Sequence, residues 1–66
     1  MKKYIIAELL FDEIYYYLDI IHKGYDFFEE IESAQHFNSI EEAEEVIPKL
    51  PEGIYQIIPI YVNKES

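Results

Sequence analysis

The sequence has no cysteine, no arginine and no tryptophan, and only two glycines and one methionine in 66 residues. Without cysteine, disulfides and thiolate metal centres are excluded, and a reducing compartment is the natural setting. The two histidines, His22 and His36, cannot complete a structural zinc site by themselves. Without arginine, the chain lacks the forked donors on which phosphate recognition draws. Long hydrophobic runs are missing too: no segment approaches the roughly 20 apolar residues of a spanning helix. The opening "MKKYIIAELLFDE" pairs two lysines with an apolar run, but Glu8 breaks that run and no small-residue cleavage site follows. A secretory leader is therefore not expected, and the cytoplasm (that of a host cell, if the protein is phage-encoded) is the expected location.

Positive charge is scarce. Five lysines face fourteen acids, for a formal charge of −9. Such a chain is repelled by nucleic-acid backbones and anionic membranes, so neither is an expected partner. A basic surface on another protein is attracted instead. Seven acids lie between Glu29 and Glu45 with no lysine or arginine among them, which makes a surface of one sign.

What is present is apolar and aromatic material: half the residues, including seven tyrosines and four phenylalanines. A disordered chain lacks this content. Residues 1–66 read as one small domain, close to the lower limit for a single hydrophobic core. Domains of this size usually need a disulfide, a metal or self-association, and here self-association is what remains.

"KYIIAELL" (Lys3–Leu10) and "IYYYLDII" (Ile14–Ile21) read as a strand pair joined by the turn "FDE". Taking Glu8 and Asp19 as marks of the outer parity, Ile5, Ala7, Leu9, Tyr16, Leu18 and Ile20 are expected to face the core. "YDFFEEIES" (Tyr25–Ser33) can continue as a strand or form one helical turn opened by Asp26 with Glu29 three residues later; the favoured reading is irregular or a single turn, followed by a short strand at Ala34–Phe37. The best local signal is "SIEEAEEVIPKL". Ser39 is an N-cap and Glu42, three residues later, completes a capping box. Ile40, Ala43, Val46, Ile47 and Leu50 share an arc of about 120°, with Glu41, Glu42, Glu44 and Glu45 opposite. Pro48 should end the helix near Ile47, and Lys49 can pair with Glu45. "IYQIIPIYV" (Ile54–Val62) closes the chain as a strand at a sheet edge or bulged at Pro59. The expected fold is α+β: a small antiparallel sheet of three or four strands with one helix on one face, in the order β-β-(β)-α-β.

One helix covers one face of a sheet, yet both parities of these strands are apolar. Tyr4, Ile6, Tyr15, Tyr17 and Ile21 lie on the parity away from the assigned core and are expected to meet a second copy or another protein. A homodimer is the expected assembly. Catalytic parts are lacking. Ser39 is explained as a cap, both histidines read as polar residues at strand ends, and the helix glutamates read as solvated. No calcium loop or glycine-rich phosphate loop occurs. No enzyme, cofactor or metal is expected.

The segment "IESAQHFNSIEEAEEVI" (Ile31–Ile47) resembles a pattern of short phage and prophage proteins of β-β-α-β type. The matching positions are Ala34, Phe37, Ser39, Glu41, Glu42 and Ala43, with "YYYLDI" similar to their second strand and "IYQIIPIYV" to their closing one. The resemblance implies a phage-encoded accessory protein, a group that includes inhibitors of bacterial immune systems. It carries over no active site. The expected function is protein binding, with Glu41, Glu42, Glu44 and Glu45 set against a basic surface on a host defence protein that handles nucleic acid. The alternatives are an oligomer that sequesters a nucleotide signal, served by Lys23 and Lys49, and a structural homodimer.

Overall fold

The computed structural model describes residues 1–20 and 24–62, with Asp19, Ile20, Gly24 and Tyr25 entering through their backbone register alone. The expectations for the side chains of Asp19 and Ile20, and for Ile21, His22 and Lys23, lie outside the described residues. β1 (Lys2–Leu10), β2 (Glu13–Ile20), β3 (Gly24–Phe28), α1 (Ile40–Val46) and β4 (Ile54–Tyr61) follow one another. Single 3-10 turns stand at Ile31–Ser33 and Ile47–Lys49. The four strands form one antiparallel sheet in the spatial order β3-β2-β1-β4. This is the α+β architecture expected. No helix among the described residues is long and apolar enough to cross a membrane.

Two elements differ from expectation. Tyr25–Phe28, favoured as irregular or a single turn with a strand as the alternative, belongs to an edge strand, Gly24–Phe28, in register with β2 from Tyr16↔Phe28 to Ile20↔Gly24. Ala34–Phe37, expected to be a strand, makes a single bridge to Tyr4. The reason is where it lies. Among the described residues, β1 and β2 pair from Ala7↔Tyr16 to Leu10↔Glu13, and the returning chain enters where they part. There Gln35 donates its N–H to the Tyr17 carbonyl at 2.7 Å, while Phe37 and Tyr4 exchange backbone bonds of 2.8 and 2.9 Å. A segment bonded alternately to two strands builds a ladder with neither.

The β1–β2 turn is tight. Leu10 and Glu13 close it, and Phe11 and Asp12 hold φ of 52° and 65°. Positive φ at both central residues marks the turn whose twist matches that of the flanking strands.

The register also assigns the faces, and here the expected parity is reversed. α1 packs Ala43, fully buried, onto Ile6, Tyr17 and Phe37, with Tyr4, Phe27, Val46, Ile47, Leu50, Tyr55 and Ile57 around them. The helix therefore covers the parity of Tyr4, Ile6 and Tyr17. Tyr17 stacks on Phe37 and meets Phe27 edge-on, both with centroids 6.1 Å apart. Phe27 of β3 also stacks on Tyr55 of β4 at 6.3 Å, although two strands separate them, so the sheet curls around this core. Ile5 and Ala7 are buried as expected, but on the far face; there Ile5 lies opposite Ile58, and Ala7 between Tyr16 and Gln56.

Candidate functional site

The acidic surface begins at the helix cap. The Ser39 hydroxyl accepts the Glu42 N–H at 3.1 Å, and Glu42 Oε1 accepts the N–H of Asn38 at 3.0 Å. The reciprocal arrangement is the expected capping box, displaced by one residue on the return bond. Lys3 Nζ donates to Asn38 Oδ1, which ties the entry to the helix onto β1. Glu42 is thus engaged by the helix it starts. Glu41, Glu44 and Glu45 are exposed on the rest of the outer surface. The expected pairing of Lys49 with Glu45 does not form, because the chain tightens into a 3-10 turn at Ile47–Lys49 and the helical spacing of four residues is lost.

Glu44 also stands at the rim of a groove of about 550 Å³ between α1 and the outer strand. Ile40 of the helix and Ile47 of the 3-10 turn after it line the groove with Ile57 and Pro59 of β4. At the opposite corner of the sheet, the Tyr15 hydroxyl donates to Glu13 Oε1 at 2.9 Å. That bond raises the Tyr15 pKa above its ordinary value, helped by partial desolvation and by the charges of Glu13 and Glu29.

The proposed interface residues need correction. Ile6 and Tyr17 are core residues, 0 and 7% exposed, and Tyr4 packs against the same cluster. The helix occupies the face they were expected to offer. Tyr15 is half-buried on that same face, and Ile21 lies outside the described residues. Apolar surface is exposed on the other side. Leu9, Ile14 and Ile54 are 49, 50 and 66% exposed. They border a hollow of about 350 Å³ together with Ala7, Gln56 and Ile58. Phe11, at the hairpin tip, is 88% exposed. Parity does not reveal this surface, because it groups Leu9 with the buried Ile5 and Ala7. The fall in burial along β1, from Ile5 to Leu9, depends on where the sheet ends, which periodicity does not carry.

His36 is exposed, and no group of three or more His, Cys, Asp or Glu side chains among the described residues could hold a metal ion. The described residues present carboxylates on a short helix, an apolar far face and two sheet edges. The chain matches no protein-family model, and no curated protein or solved structure matches it either.

Proposed function

We propose that this chain is a protein-binding module and not an enzyme: a small cytoplasmic inhibitor, phage-encoded, whose helix carboxylates occupy a basic surface on a host protein that handles nucleic acid. The observation that supports this reading is the set Glu41, Glu44 and Glu45, exposed on α1 and joined to no cation among the described residues. On a helix, residues three and four apart are neighbours, and like-charged neighbours cost about 0.2–0.5 kcal/mol per pair. Glu41 stands in that relation to both Glu44 and Glu45. A basic partner relieves the repulsion, and the net charge of −9 steers the encounter. Glu42 is not part of the recognition set, since its carboxylate serves the cap.

The test is capture from bacterial lysate at low and high salt, comparing the native chain with a triple variant, Glu41→Lys, Glu44→Lys and Glu45→Lys. A stoichiometric partner held at low salt, released at high salt and missing from the triple variant is the expected result. Capture that ignores both salt and charge reversal would sink the proposal.

A further inference from the structure

The two edges of the sheet are managed differently. β3 is five residues long, and Asp26 Oδ1 accepts the N–H of Phe27 at 2.8 Å, so a side chain occupies the outward donor. β4 is eight residues long, and Ile54–Val62 has no charged side chain in a chain of net charge −9. Soluble proteins blunt long edges with charges, side-chain caps or proline. On β4 the device is Pro59.

The register shows which backbone groups face outward. Tyr4 gives its N–H and C=O to Phe37, away from β4. The Tyr4↔Pro59 pair is therefore not hydrogen-bonded, and the alternation of an antiparallel ladder turns Ile57 and Pro59 to the outer edge. Pro59, with no N–H, spoils any register that needs a donor there. Among the described residues no strand lies beyond β4.

We propose that β4 pairs antiparallel with β4 of a second copy, on a two-fold axis through Gln56. This register sets Ile57 of one copy opposite Tyr55 of the other. It leaves Pro59 opposite Gly53, beyond the end of the strand, so the proline stops the ladder without interrupting it. Ile54, 66% exposed, meets Ile58 of the other copy on the far face. The Gln56 side chains meet on the axis, each amide offering both donor and acceptor. The occupant is a second copy and not a charged foreign strand. β4 itself offers no charge to a charged strand, and along Ile54–Val62 two acidic chains align with no carboxylate in the ladder; Glu44 and Lys2 stand at the groove beside it and not on the strand. The groove between α1 and β4 opens on the same edge and receives the partner's Ile57 beside Ile40 and Ile47.

This inference stands apart from the acidic-helix proposal, and salt separates them. Screening tightens pairing between two chains of charge −9, whereas it weakens capture of a basic partner. The test uses the native absence of cysteine. Gln56→Cys places two thiols across a non-hydrogen-bonded antiparallel pair, with Cα atoms about 4.5 Å apart, inside disulfide range. Mild oxidation should give covalent dimer roughly tenfold faster than for Glu32→Cys, an exposed control outside the sheet. Sedimentation of the native chain should show a dimer that strengthens with salt. Gln56→Lys, which sets like charges face to face, should weaken it on the order of tenfold with the circular dichroism unchanged. A native chain that stays monomeric at high salt, or equal crosslinking of the two cysteine variants, overturns the proposal. Faster crosslinking of Ile57→Cys than of Gln56→Cys overturns it as well, since that outcome belongs to another register.

Discussion

Individual residues carry costs that the sheet around them absorbs, and the hairpin tip is the clearest case. Phe11 and Asp12 both take the left-handed conformation, where an L side chain costs about 1–2 kcal/mol. The turn favours Asn followed by Gly, and this chain has neither there. Phe11 gains nothing from burial in return, because 88% of it is exposed. The double substitution Phe11→Asn and Asp12→Gly should stabilise the domain by about 1 kcal/mol or more, a rise of roughly 4–8 °C in Tm per kcal/mol for a chain of this size. Thermal unfolding followed by circular dichroism checks it, and an unchanged midpoint would mean that the turn holds no strain. The position of the turn is legible in "FDE"; its type is not, since Asp12 tolerates positive φ without requiring it and Phe11 gives no sign of it.

At the scale of elements, α1 has seven residues and could not persist alone in water. It stands because Ser39 and Glu42 close its first turn and Ala43 seats on Ile6, Tyr17 and Phe37. Ser39→Ala should cost about 1 kcal/mol, whereas Glu42→Gln, which keeps an acceptor for the Asn38 N–H, should cost less than half of that. Denaturant unfolding at matched salt measures both. The helix was legible because cap, periodicity and proline agree on it. β3 was not, because "YDFFEE" satisfies two patterns. Asp26 with Glu29 three residues on imitates a helix start, yet the Asp26 carboxylate bonds the N–H of Phe27 and guards a strand edge. The faces of the sheet are not legible for a related reason. Both parities of β1 are apolar, so Glu8 is the one mark that separates them, and Glu8 reaches to the rim beside Gly53. A charged residue at the end of a covered face reads the same in sequence as one on an uncovered face.

For the whole molecule, charge and size dominate. A 66-residue domain has little stability to spare, and −9 charges confined to it repel one another. Raising ionic strength should therefore raise the Tm of the dilute protein, with sodium chloride and potassium chloride acting alike. A melting point independent of salt would show that the carboxylates lie too far apart to matter. The candidate acidic site was legible because it needs only a helix period. The β4 edge was half legible: Pro59 pointed to an edge, but which N–H groups turn outward required the Tyr4–Phe37 bridge.

That bridge, and the central place of β1, set an order of events during synthesis. β1 is the first described strand to leave the ribosome, yet three later segments complete it: β2 over Ala7–Leu10, Phe37 at Tyr4, and finally β4 along Lys2–Leu9. At translation rates of about 5–20 residues per second, the hairpin forms while the rest of β1 still waits for its neighbour. A nascent chain halted before Ile54 would display the β4-facing edge of "KYIIA" unpaired, the kind of edge that chaperones hold and proteases remove.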